Sequence, residues 1–394
     1  MATNREIASS RKEKSLVVIR PKSKSVYFSP PSSDPSDVLD LVFIVSNKVE
    51  LCIVNSLRRA ISSCVKTAAF PFDPTEPPPP EVSEPGVRIL ENTCVMHNEM
   101  LGHRISLLPI CLTPNELANF DHRNYNVELK VRNDGNTVLD VTSESFMVTD
   151  MTGAALPSAR VERLFPKCMI SGDFPLIGVL KPRSACANAG IGELVHVRAV
   201  PRLGTGHEHA RWSPVSTCFF KELLTEEGVK DGWTFIMEGL NPSLSPYYIV
   251  FLGFQFLLEE VKTLKNRVII FETLDVDIED SPSDMKGGRR FSTTLQNLDH
   301  TMGNLLQGIL YDLWIDVGKS KQINYVGYFK RHPLIDDITF RIQVVNESDN
   351  PSDIFMDGLV HVESRLKEIT SDWISFCGID KLNYVRVNEF NTSL

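Results

Sequence analysis

The chain has 394 residues, 42% hydrophobic and 23% charged, with a formal charge of −9. That length and mix describe a globular protein of two or three domains with sizeable cores. The acidic balance argues against a general nucleic-acid coat, which needs a basic surface. The longest apolar run, Tyr248 to Leu258, is broken by Gly253 and Gln255 and is too short to span a bilayer.

No secretory leader is expected, because Ser9 and Ser10 interrupt the start and no apolar stretch precedes a cleavage site. Residues 1–24 hold seven basic side chains against two acidic ones. Residues 1–36 read as a flexible basic tail, either simply solvated or in contact with an acidic surface or a nucleic-acid backbone. Leu39 to Val45 reads as a strand. From Ile53 the apolar residues Ile53, Leu57, Ala60, Ile61, Cys64 and Val65 form one helical stripe. Arg58 and Arg59 lie off that stripe, where they either engage a partner's carboxylates or belong to a solvated face.

Phe72 to Gly86 holds six prolines and reads as an extended loop or mobile insertion. His97, Glu99, His103 and Arg104 form a polar cluster that opens an apolar run, either an interface rim or the wet side of a helix. Asn126 to Val131 and Thr137 to Val141 alternate as half-buried antiparallel strands. Met169 to Leu180 and Glu193 to Ala199 continue that character, so the middle of the chain reads as a mostly β insert. Gly204-Thr205-Gly206, followed by His207 to Pro214, reads as a turn-rich loop, and Trp233 to Glu238 as a strand. Pro246 opens a long apolar helix to about Lys265. Val268 to Glu279 reads as a strand with Leu274, Val276 and Ile278 on one face. Residues 281–290 read as a linker; ten residues reach at most ~33 Å. The remainder follows the order strand (Arg290 to Gln296), helix (Asp299 to Trp314), strand (Asn324 to Tyr328), strand (Ile338 to Val345) and long helix (about Pro351 to Trp373).

Catalytic patterns are weak. Asp275-x-Asp277 suits a metal-dependent transferase, and equally the wet side of the strand just described. His207-x-His209 lacks a third ligand at metal spacing. Gly204-Thr205-Gly206 lacks the residues of a phosphate loop, and no nucleophile elbow appears. The eight cysteines (Cys52, Cys64, Cys94, Cys111, Cys168, Cys186, Cys218, Cys377) form no CxxC pair. They fit reduced thiols in an intracellular setting, with no metal and no cofactor.

Two strings are similar: Val54-Asn55-Ser56-Leu57-Arg58-Arg59 and Met302-Gly303-Asn304-Leu305-Leu306-Gln307. Each follows a strand-like stretch, opens a short amphipathic helix and precedes a long apolar one. Two copies of a half-built module cover their apolar faces against each other.

Asn55 to Arg59, followed by His97-Asn98-Glu99-Met100-Leu101-Gly102-His103-Arg104 and the run to Ile110, resembles the third-largest-type assembly subunit of RNA polymerase II, called D in archaea and alpha in bacteria. Gly204 to Pro214 is similar to that subunit's loop before it re-enters the dimerisation domain. Asp299 to Leu306, Val326-Gly327-Tyr328 and His332-Pro333-Leu334 resemble the eleventh subunit, called L in archaea. A covalent fusion of the two resembles the arrangement in large nucleocytoplasmic DNA viruses.

The resemblance implies an α+β fold with two alpha-subunit-like dimerisation modules paired within one chain. The first spans 37–67 and 215–280 and carries the insert 68–214 with its Pro-rich loop 72–86. The second spans 291–376, and 377–394 is a C-terminal tail. The implied role is a non-catalytic assembly platform that docks the two largest polymerase subunits and small polymerase subunits. DNA is met only through the complex, and no membrane is involved. Implied partner-binding residues are Asn55, Ser56, Arg58, Arg59, His97, Glu99, His103, Arg104, Arg211 and Trp212. The implied intramolecular seam holds Leu57, Ile61, Leu252, Phe256, Asn304, Leu305, Leu306, His332 and Pro333. The implied location is a viral factory in the host cytoplasm or the host nucleus, with or without packaging in the virion. Many relatives carry a metal-binding cysteine cluster in the insert; here Cys111, Cys168 and Cys186 are too isolated, and no metal is expected. Joining the halves by a short linker raises their mutual concentration to roughly millimolar, so a pseudo-heterodimer within one chain is expected. The rival readings are a transferase using Asp275 and Asp277, and an interaction scaffold unrelated to transcription.

Overall fold

Alternation along β2 (Leu41–Ser46) sends Leu41, Phe43 and Val45 inward. This strand belongs to a computed structural model that describes residues 25–29, 41–77, 84–168, 171–183, 192–273, 289–315, 323–346 and 348–378. β2 is flanked by β1 (Phe28–Ser29) and β12 (Lys230–Gly239), and β12 pairs with β11 (Val215–Leu224), all antiparallel. Helix α1 (Leu51–Ser63) packs on β11, and α5 (Pro246–Lys265) packs on β12. Pro246 suits the first turn of α5, and Lys262 and Lys265 suit its carbonyl end. Gly253 lets α5 approach α1: a Cβ there would lie 2.9 Å from Ile61 Cγ1 and 3.1 Å from Leu57 Cδ1.

A second antiparallel sheet runs β13 (Glu272–Thr273), β14 (Arg290–Gln296), β16 (Asp337–Val344), β15 (Ile323–Phe329). Its helices are α6 (His300–Trp314) and α7 (Pro351–Cys377). Asp299 caps α6 by accepting from Thr301 N–H, and Asn350 caps α7 by accepting from Ser352 N–H.

Between the parts of the first sheet lies the insert. β3 (Lys66–Ala69) and β10 (Arg202–Thr205) form a ribbon at its base. A four-stranded sheet runs β4 (Gly86–Asn92), β9 (Leu194–Val200), β5 (Asn126–Arg132), β7 (Phe146–Thr149), beside the pair β6 (Leu139–Thr142) and β8 (Leu176–Leu180). The helices α2 (Asn98–Ser106), α3 (Pro114–Ala118) and α4 (Ser158–Leu164) complete it. Thr113 and Glu116 form a capping box on α3. The insert has its own core around Phe70, Leu101, Leu129 and Val197. The two sheets with α1, α5, α6 and α7 share a single other core.

The architecture is α+β, and it departs from the sequence reading in several places. β11 was not anticipated; as an edge strand it is mostly exposed and shows little hydrophobic signal. Gly204 and Thr205 lie in β10, paired with Thr67 and Lys66, not in a loop. Val268 to Phe271 is not strand, and Val268 and Ile270 stand exposed; only Glu272–Thr273 is strand there. Leu274 to Asp280 and the linker up to residue 288 lie outside the described residues, including Asp275 and Asp277. Finally, residues 25–29, inside the stretch read as a flexible tail, are docked. Tyr27 and Phe28 are buried, and the Phe28 ring meets Phe43, Phe254, Trp373 and Phe376.

Candidate assembly interface

Helix α1 is held from two sides. α5 lies on one side, and α6 of the other sheet lies on the other. Gly308 makes the second contact close: a Cβ there would sit 2.7 Å from both Cβ and Sγ of Cys52. Leu57, Ile61, Leu305 and Leu306 are fully buried in the shared core, and Leu252 and Phe256 pack half-buried against it. Asn304 is half-buried on α6. Burial of this kind contributes about 1.5–3 kcal/mol per large apolar side chain.

The halves interlock. α7 packs against α5, and its Trp373 lies against Phe43 of the first sheet with ring centres 4.8 Å apart. β13, which follows α5 in the chain, extends the second sheet. Trp373 Nε1–H donates to Tyr247 C=O at 3.1 Å.

Polar groups close the seam at two ends. At one, Ser56 Oγ donates to Thr301 C=O at 3.0 Å, and Arg59 donates to Thr301 Oγ1 at 2.9 Å and Asp299 Oδ2 at 3.1 Å. Burial pushes the Asp299 carboxyl up, but the Thr301 donors and the Arg59 guanidinium outweigh it and hold it below its ordinary range. Nearby Cys64 is pushed up to about 12 by burial, with Asp299 adding to it. At the other end, Arg365 of α7 donates to Glu50 at 3.1 Å, to Tyr27 Oη at 2.7 Å and to Lys48 C=O at 2.6 Å. Asp372 accepts from Ser25 Oγ at 2.5 Å and from the N–H groups of Val26 and Tyr27, and Tyr27 Oη donates to Glu368. Residues 25–29 are therefore a strap joining β2 to α7.

The structure separates the partner-binding candidates into groups. Ser56 is buried, and Arg59, its side chain 38% exposed, pairs with Asp299, so both take part in the seam. The stripe pattern missed this because α1 is contacted on two sides. Arg58 is half-buried, and its Nε donates to Asn55 Oδ1 at 3.1 Å. Trp212 is buried under Gly204, with the Arg202 guanidinium 4.2 Å above its ring. Arg211 donates to Phe70 C=O at 3.0 Å and Phe72 C=O at 2.8 Å. Both residues brace the base of the insert. His97 and Glu99 are exposed at the start of α2, Arg104 donates to Leu176 C=O at 2.6 Å, and His103 packs edge-on to Phe72. Glu99, Arg211 and Trp212 share the lining of an open cleft of about 780 Å³ beside the Pro-rich segment. His332 and Pro333 are exposed in the turn after β15 and lie outside the seam. The turn forms because His332 Nδ1 accepts from Leu334 N–H at 3.1 Å.

Sequence reasoning missed Tyr27, Glu50, Arg365 and Asp372, which carry no local motif. It also missed the two close-approach glycines, although a lone glycine in a helical pattern is a visible packing signal. Among the described residues, no three His, Cys, Asp or Glu side chains gather as a metal site, and no helix is long and apolar enough to cross a membrane.

Residues 291–372, which hold β14 to most of α7, match the RNA polymerase Rpb3/Rpb11 dimerisation domain family. The chain is 26% identical over 163 residues, 41% of its length and 49% of the relative's, to the DNA-directed RNA polymerase subunit Rpo3 of Aeropyrum pernix. It is 24% identical over 186 residues, 46% and 57% respectively, to Rpo3 of Methanothermobacter thermautotrophicus. It is 24% identical over 196 residues, 47% and 55%, to the DNA-directed RNA polymerase II subunit rpb3 of Dictyostelium discoideum. The chain thus spans about half the length of the curated relatives it matches. These likenesses support an RNA polymerase alpha-like subunit.

Proposed function

We propose that the chain is a non-catalytic assembly platform of a multisubunit DNA-dependent RNA polymerase. Its two alpha-like halves pair in cis and dock the two large catalytic subunits together with small polymerase subunits. The observation that carries this reading is the single core running through both sheets, one of which matches a polymerase dimerisation domain. A partner that normally arrives as a separate subunit is here supplied by the same chain. Arg58, outside the seam network, is the α1 residue best suited to a partner carboxylate. On this reading the chain is a fusion of the kind found in large nucleocytoplasmic DNA viruses and works inside the infected cell, in a cytoplasmic factory or the nucleus.

The test is affinity purification of the tagged protein from cells that produce it, with mass spectrometry of stoichiometric partners. Two very large polymerase subunits at one copy each are the expected result. A lone protein, or partners without a polymerase subunit, overturns the reading. Light scattering of the isolated chain should give a single-chain mass, and a stable two-chain species removes the pairing in cis.

A further inference from the structure

The insert sheet has one face on its own core and one face open. Val87, Val127, Leu129 and Val197 point to the core. Alternation sends Arg88, Arg198 and Glu128 to the open face, and register sets them in one row, Arg88 opposite Arg198 and Arg198 opposite Glu128. Like charges directly opposite each other weaken a sheet. Glu128 offsets only part of this: its Oε1 contacts His196 Nε2 at 2.7 Å and Arg198 Nη2 at 3.4 Å. Arg88 Nη2 is buried with no acceptor among the described residues. Lys130 and Arg132 continue the charge along β5, both exposed. Four cations thus stand against Glu128 and the exposed Glu91 on a chain of net charge −9. Leu90 and Met147 stand half-exposed near the ends of the row.

We propose that this face docks an acidic, partly apolar segment of a partner protein, whose carboxylates are taken by Arg88 and Arg198. A guanidinium fork matches a carboxylate in two-pronged geometry. The like-charged cross-strand pair Arg88 and Arg198 is relieved by an incoming anion that lies between the two guanidinium groups. A nucleic-acid backbone fits less well. It needs a continuous basic track, whereas here two glutamates interrupt the cations and apolar side chains flank them.

The test uses the full chain and a short fluorescein-labelled peptide that alternates Glu with Leu, followed by anisotropy. Binding is expected to weaken with added salt. Arg88→Ala with Arg198→Ala is expected to lose about tenfold or more in affinity, with a melting temperature unchanged or raised because the like-charged pair is relieved. Arg198→Ala alone, at a side chain 41% exposed, serves where the double variant does not fold. Equal affinity in the variants, or equal binding of the peptide with Lys in place of Glu, overturns the proposal. Tighter binding of a single-stranded DNA oligonucleotide that the same variants abolish overturns it in favour of a nucleic-acid face.

Discussion

The seam between the two sheets and the base of the insert do the same job with opposite materials. The seam is helix against helix, closed by fully buried Leu57, Ile61, Leu305 and Leu306, with a polar network at each end. The insert base is a two-stranded ribbon braced by planar groups, with Arg202 on the face of Trp212 and Arg211 on two backbone carbonyls. The seam merges two cores into one, while the insert keeps its own core, with half-buried Leu117 packed against both. Damage to the seam should therefore spread through both halves, and damage to the insert base should stay local.

Leu305→Asp tests the first half of that contrast most severely. A charge with no partner in the shared core should cost about 4 kcal/mol or more, and calorimetry should show both halves melting early together. Trp212→Ala should cost about 3 kcal/mol but act on the insert alone, splitting the thermal transition while the helical part melts at its original temperature. If the whole chain melts early, the insert base is not separable from the seam. Gly308→Val drives a side chain into Cys52 and should cost about 1–3 kcal/mol by overpacking, read as a lowered denaturant midpoint.

The smallest effect distinguishes charge from packing at the seam's polar end. Arg59→Ala should cost about 0.5–1 kcal/mol at neutral pH. The Asp299 carboxyl sits below its ordinary range in the folded chain. Such a group contributes stability above its unfolded pKa, near about 4, and loses it as pH falls through the lower folded value. The deficit of the variant should thus shrink below about pH 4. A deficit that stays constant across that window means Arg59 acts by packing.

How much of this was legible in the sequence followed from distance along the chain. β14 to α7 form a contiguous unit with strong periodicity, and their order and rough bounds were readable. The buried pairing of Leu57 and Ile61 with Leu305 and Leu306 was inferred from the two similar strings and from the resemblance they carry. The strap at Tyr27 and Phe28 was not readable, because its partners lie more than 300 residues away and a two-residue strand has no period. Arg59 was read as outward-facing because a helical stripe reports one buried side, and α1 has two; Ser56 entered only through the resemblance. His332 and Pro333 matched a motif, but a motif fixes the local turn and not which surface the turn lies on. Trp212 and Arg211 were named only through the resemblance; their bracing role depended on β3 and β10 pairing across the whole insert.

The strap also bears on how the chain is made. Phe28 and Phe43 leave the ribosome early, yet they close against Trp373 and Phe376, near the end of the described chain. Synthesis proceeds at roughly 5–20 residues per second, so the first sheet waits tens of seconds with an aromatic surface uncovered. The insert has a core of its own and no such wait. During translation the insert can be a folded bead on a chain whose first-made sheet is still incomplete, and that sheet is the part most in need of a chaperone.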